Sequence, residues 1–191
     1  MLPASRFLSI DVETTGFSSH ARIIEIGCVL FEGEEPVDKW SSLVRPIGID
    51  WNEEHVREAL EVTKIMSEEI EKAPTFPQIF HRLFTYLRSA RVWIAHSANF
   101  DIRMLNAEFQ RYKNSDLPVR PQEGVLCTLA MSRALSPGVK GHKLHEVAAR
   151  WGVVPEVLHR AASDALKCGR ILVEMGKGEL PENVGWLDER T

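Results

Sequence analysis

Residues 9–17, SIDVETTGF, close an apolar run that begins near Arg6 and set two carboxylates, Asp11 and Glu13, two positions apart. The run RFLSIDV (6–12) has the Phe, Leu, Ile and Val content of a strand. In a strand, residues i and i+2 point to the same side, so these acids stand next to each other. Anions that close repel, and removal from water strengthens the repulsion. Something positive has to sit between them, either a side chain or a metal ion. No cation follows nearby in the strand, which weakens the side-chain alternative.

The pattern continues outward. RIIEIGCVLFE (22–32) reads as a second strand, EGEEP (32–36) as a turn, and the stretch near 38–45 as a third strand. Two short connections in a row predict antiparallel hairpins. Residues 50–72 are acidic and helix-friendly, and apolar spacing gives a helix from about Phe76, followed by a short strand, RVWIA, at 91–95. Helical spacing then covers 100–113, 126–135, 142–151 and 161–175, broken by Pro118, Pro121, Pro137-Gly138 and Gly152. Strands first, then strand–helix alternation, predict an α/β fold with a mixed sheet flanked by helices. One domain is expected over residues 1–175, with 176–191, lacking any period, as an irregular C-terminal tail.

The composition is that of a globular chain: 44% hydrophobic and 26% charged, which argues against disordered and membrane classes. Cys28, Cys127 and Cys168 are far apart and form no CxxC or Cys/His pairing, so neither a zinc module nor a disulfide framework is expected. With no leader-like start and no apolar run long enough for a bilayer, the expectation is a cytoplasmic protein that does not enter a membrane. The net charge of −4 does not announce a nucleic-acid binder, but its distribution is uneven. Residues 50–71 hold eight Asp/Glu against two Lys/Arg, whereas 125–145 hold no acid but Arg133, Lys140, His142, Lys143 and His145.

Two further acids sit where a solvent-facing position works poorly. Asp101 heads a helix whose Leu105 and Tyr112 share its face, and Asp164 falls on one line with Cys168, Ile171 and Met175. An unpaired inward carboxylate costs several kcal/mol or takes up a proton. The alternative is ordinary pairing: Arg103 for Asp101, Arg160 or Lys167 for Asp164, or a helix-dipole role for Asp101. If the four converge, an all-oxygen set suits hard cations, Mg²⁺ or Mn²⁺. Two such ions about 4 Å apart serve in-line phosphoryl displacement, activating water and offsetting charge on the attacked and leaving oxygens. His159, in VLHRAASD five residues before Asp164, is the candidate base, with an ordinary pKa near 6.5; the plain alternative is a surface histidine.

D-x-E-T-T-G at 11–16, H-x-x-x-F-D at 96–101 and H-R-A-x-x-D at 159–164, in this order, resemble the three motifs of the DEDDh family of 3′→5′ exonucleases. The resemblance covers roughly residues 6–175. It implies a ribonuclease-H-like fold with about five strands, Asp11, Glu13, Asp101 and Asp164 as ligands of two divalent cations, and His159 as general base. It also implies that Glu13 and the backbone of Thr14, Thr15 and Gly16 meet the 3′-terminal nucleotide. Phe17 resembles the aromatic that stacks on a base in some members, ordinary core packing being the alternative. His96 and Asn99 of the second motif join the substrate set. The family usually has Asn where Ser97 stands, and often Asp where Cys127 stands.

The expected substrates are single-stranded DNA or RNA 3′ ends, with DNA favoured, and nucleoside 5′-monophosphates as products. The loop RALSPGVKGHKLH (133–145), with Lys140 and Lys143, is expected to track substrate phosphates, a solvated loop being the alternative. The modest basic charge leaves room for a DNA polymerase subunit to supply affinity. Rival readings are an RNA-trimming enzyme of the ribonuclease T kind and a non-catalytic nucleic-acid-binding module. Oligomeric state is not fixed by the sequence.

Overall fold

The structure, a computed structural model, describes residues 5–113, 119–154, 160–178 and 184–187. Three strands open it: β1 (Arg6–Thr14), β2 (Ile23–Glu32) and β3 (Glu35–Leu43), paired antiparallel as the short connections require. Helices α1 (Glu54–Thr63), α2 (Ser67–Glu71) and α3 (Phe76–Leu87) follow. The acidic 50–72 segment is thus two helices, because Lys64 turns left-handed at φ 58° and its N–H closes on the Leu60 carbonyl. Thr75 starts α3 by donating its backbone N–H to Gln78 Oε1 at 2.7 Å.

The second half runs β4 (Val92–Ala95), α4 (Ala98–Lys113), β5 (Gly124–Cys127), α5 (Thr128–Leu135), α6 (Leu144–Arg150) and α7 (Ala161–Gly176). The sheet has five strands in the order β3-β2-β1-β4-β5, with β4 and β5 parallel to β1 and β1 at the centre. Strand β5 corrects the sequence reading, which assigned 126–135 to a helix throughout. A short apolar run buried on both faces has no alternation, and periodicity cannot separate it from a buried helical turn. Of the expected tail, residues 176–178 and 184–187 are described. Trp186 bridges Leu126, and the amides of Cys127 and Leu187 bond the carbonyls of Gly185 and Val125, so residues 184–187 line β5.

Two layers of helices cover the sheet. Leu8, Ile10 and Val12 of β1 pack with Phe80, Leu83, Leu105 and Phe109 of α3 and α4. Phe7, Val29 and Phe31 face the other way, onto Ile171, Leu172 and Met175 of α7. Burial of each such side chain contributes about 1.5–3 kcal/mol. Trp40 stacks on Tyr86, while Trp51 and Trp186 pack against core clusters. Among the described residues no helix is long and apolar enough to cross a membrane.

The start of α7 approaches the sheet closely at Gly27, opposite Asp11 in the β1–β2 register. A Cβ there would fall 2.2 Å from the backbone of Ala161 and Ala162, so only glycine lets the start of α7 rest on β2. Gly27→Ala should therefore lift that end of the helix and destabilise the protein by about 2–3 kcal/mol, the upper range for overpacking. Urea denaturation checks this; a midpoint unchanged from wild type would show that α7 is not seated as described.

Candidate active site

Alternation along β1 puts Ser9, Asp11 and Glu13 on the face covered by α7. Asp164 enters from the first turn of α7, and oxygens of Asp11, Glu13 and Asp164 lie within 4.8 Å of one another. Asp101 arrives from the other layer, at the start of α4. It is 3% exposed and accepts the Val12 amide through Oδ1 at 3.1 Å, which ties the helix start to β1 just between the two strand acids. The four sequence-derived carboxylates thus gather at one end of the central strand.

Their electrostatics follow from that crowding. Burial, then the charges of Asp101, Glu13, Asp164 and Glu25, push the Asp11 carboxyl well above its ordinary range. Burial, then Asp164 and Glu25, raise Glu13 from 4.5 to about 7, with Arg160 pulling it down. Asp101 is raised by burial, against the hydrogen bond from Val12. Carboxylates this close, set in a half-buried pocket, hold protons or a multivalent cation, and their hard oxygen donors fit Mg²⁺ or Mn²⁺. The three acids Asp11, Glu13 and Asp164 form the group whose ligand atoms converge, with no cysteine among them, and burial pushes the Cys28 and Cys168 thiols up.

The pairing alternatives divide. Arg103 does not serve Asp101: its guanidinium donates to the Phe17 carbonyl at 3.1 Å and lies over the Phe100 ring. Arg160 is held by Glu25, at 3.0 Å, rather than by Asp164. Lys167 does pair with Asp164, its Nζ 2.5 Å from Oδ1.

Glu25 was not foreseen. It is 2% exposed, lies directly opposite Glu13 on β2, and accepts the Arg160 guanidinium and the Ala161 amide. Like charges opposite each other in a sheet repel, and Arg160 relieves this pair while fixing the entry of α7. A lone Glu inside RIIEIGCVLF was the available signal.

Thr14 and Thr15 build the turn after β1. Thr14 Oγ1 donates to the Gly16 carbonyl at 2.7 Å, and the Arg22 amide donates to Thr15 Oγ1 at 3.0 Å. Gly16 has φ 147°, which side chains disfavour. Phe17 is not core: it is 85% exposed, its ring 5.7 Å from that of Phe100. Both rings line a cavity of about 450 Å³ with Glu13, His55, Glu58 and Val62, bringing α1 to the site. No spacing in the sequence links α1 to the motifs, so this wall was not legible.

His96 is held on both sides by protein groups. One ring nitrogen meets Thr128 Oγ1 at 3.0 Å and the other the His142 carbonyl at 2.8 Å, while burial lowers its pKa, so the neutral ring is a strut. His142 in turn meets Ser132 Oγ at 2.9 Å, which fastens the loop of exposed Lys140 and Lys143. Asn99 is exposed on the first turn of α4. Ser97 before it adopts φ 65°, a left-handed geometry that Asn tolerates better. Cys127 is the N-cap of α5 and makes no side-chain capping bond. His159 lies outside the described residues.

Comparison with known proteins agrees with this geometry. The exonuclease (RNase T) family pattern matches residues 8–172. The DNA polymerase III epsilon subunit of Treponema pallidum is 30% identical over 172 residues, 88% of this chain and 75% of that protein. The PolC-type DNA polymerase III of Halalkalibacterium halodurans is 28% identical over 186 residues, 97% of this chain but 12% of that far longer relative. Among solved structures, the nuclease domain of 3′hExo, a DEDDh family member bound to rAMP, has a TM-score of 0.73 at 18% identity, covering 92% of this chain and 93% of that one. A five-stranded mixed sheet with converging acids and a family match over most of its length make this chain a member of the exonuclease family.

Proposed function

We propose that the chain is a divalent-cation-dependent 3′→5′ exonuclease that trims single-stranded 3′ ends, DNA in preference to RNA, to nucleoside 5′-monophosphates. One observation carries the reading: Glu13 belongs both to the carboxylate cluster and to the wall of the cavity that Phe17 and Phe100 line. A terminal nucleoside held there has its phosphodiester beside the acids. The epsilon-subunit relative supports the preference for DNA and a polymerase as partner.

Two Mg²⁺ or Mn²⁺ ions held by Asp11, Glu13, Asp101 and Asp164 would supply water activation and charge neutralisation at the phosphate. The chain's own residues do the rest. Phe17 and Phe100 offer an apolar face for a base, stacking of this kind being worth about 1–3 kcal/mol. His159 takes the proton of the attacking water, and Arg160, which follows it in the chain, is clamped to Glu25. Lys140 and Lys143 meet upstream phosphates.

A 5′-labelled DNA strand and its RNA counterpart, incubated with Mn²⁺, Mg²⁺ or EDTA, test the reading. A ladder shortening from the 3′ end, faster for DNA and lost in EDTA or in Asp11→Asn, is expected. Faster RNA cleavage would make the enzyme an RNA trimmer, and binding without cleavage a non-catalytic module. His159→Ala should slow turnover about 10²–10⁴-fold, the usual range for a general base; an unchanged rate at neutral pH removes it from that role. The double replacement Lys140→Ala/Lys143→Ala should weaken binding of single-stranded DNA and lower its salt slope by about 1.4, if each lysine meets one phosphate. An unaltered slope would return the loop to solvent.

The cluster also sets a pH dependence. Glu13 keeps its proton up to about 7 in the folded chain, against 4.5 ordinarily, so between these values the folded state binds more protons than the unfolded state. Stability of the metal-free protein then falls as pH rises through this window, and Asp11 and Asp101 act in the same direction. His96, lowered by burial, acts oppositely, but only below its ordinary value of 6.5. Thermal unfolding in EDTA should show Tm falling from pH 5 to pH 8, with the slope reduced by Mn²⁺ and by Glu13→Gln. A Tm that rises steadily over this range in EDTA would contradict the cluster.

A further inference from the structure

Lys167 is 3% exposed, one helical turn after Asp164, on a helix whose neighbouring buried positions are Leu166, Cys168, Ile171 and Leu172. A buried ammonium costs several kcal/mol unless it is paired, so this lysine is not there for packing. Its Nζ bonds Asp164 Oδ1, and Asp164 is one of the three acids whose oxygens converge within 4.8 Å. The other nearby base, Arg160, is held by Glu25. An internal ammonium and a divalent cation therefore address the same carboxylate.

We propose that Lys167 is a resident cation of the carboxylate cluster, competing with the divalent ion for Asp164 and setting the affinity at which the cluster takes up metal. The inference rests on the metal-dependent reading above and adds to it a residue that metal binding must displace or repel. Room for the displacement exists. Lys167 also lines a second cavity, of about 430 Å³, together with Glu34, Glu35 and Glu174. Its four-carbon stem can withdraw that way, toward other carboxylates, when Asp164 turns to a metal. With Lys167 in place, the metal-free cluster keeps one acid neutralised. Without it, the site is more negative, less stable when empty, and a stronger cation trap.

Calorimetric titration of Mn²⁺ into the full-length wild type, Lys167→Met and Asp11→Asn proteins separates the two ideas. Binding to wild type that is lost in Asp11→Asn supports the metal reading. Lys167→Met should then bind Mn²⁺ at least about tenfold more tightly, as removal of a like charge from a desolvated site requires. Its Tm should fall without metal and gain more from Mn²⁺ than the wild-type Tm does. Equal or weaker Mn²⁺ binding by Lys167→Met, with wild-type binding intact, overturns the competition and leaves Lys167 as a group that orients Asp164. Absence of Mn²⁺ binding to wild type overturns the metal reading and this inference with it. Should Lys167→Met not fold, the wild-type lysine side-chain NMR signals answer the question. A Lys167 ammonium resonance that shifts and saturates with Mg²⁺ supports displacement, and one that stays unmoved overturns it.

Discussion

Mutual repulsion of the carboxylates on the inner face of β1 is the constraint around which the rest of the structure is arranged. A fold gains nothing from gathering Asp11, Glu13, Asp101 and Asp164 at one end of its central strand, and the raised pKa values of Asp11, Glu13 and Asp101 register that strain. Each neighbouring device reads as compensation. Asp101 is steadied by the Val12 amide, Glu25 is neutralised by Arg160, and Asp164 is met by Lys167. Gly27 removes a side chain that would keep the start of α7 at a distance. A chain that maintains all of these around an unfavourable cluster holds the cluster for use rather than for stability.

Much of the site is legible in the sequence because strand and helix periodicity are local properties. The i, i+2 spacing of Asp11 and Glu13 and the helical lines through Asp101 and Asp164 each name a buried face without any knowledge of partners. What periodicity cannot supply is register. That Glu13 stands opposite Glu25, and Asp11 opposite Gly27, depends on a hairpin whose pairing shifts at Thr14, which no count of residues between two strands determines. Glu25 and Gly27 were therefore hidden, although their sequence neighbours were assigned to the right strand. β5 was hidden for a different reason: a four-residue strand with three buried residues and no polar face carries no alternation.

Pairing candidates chosen by closeness in sequence succeeded once in three. Lys167 reaches Asp164 because i, i+3 neighbours meet on a helix. Arg103 and Arg160 instead satisfy groups brought in by the fold, the Phe17 carbonyl and Glu25. His96 shows the same effect in the second motif. Its conspicuous place suggests a substrate contact, yet both ring nitrogens are engaged by Thr128 and His142, residues 32 and 46 positions away.

That strut gives the basic loop a physical connection to the chemistry. His142 is fastened on one side to Ser132 and on the other, through its carbonyl, to His96, which sits between β4 and α4. Arg150 adds bonds to Ser132 Oγ and the Gly141 carbonyl, at 3.1 and 2.7 Å. A loop of exposed lysines free to sample many conformations would lose ordering entropy on meeting a phosphate chain. Here the backbone that presents Lys140 and Lys143 is tied by side-chain bonds to the segment that supplies Asp101. If the loop engages substrate phosphates as proposed, they and the phosphodiester beside the carboxylates would be registered against the same tied segment, and the distance between grip and cut would be fixed by the fold.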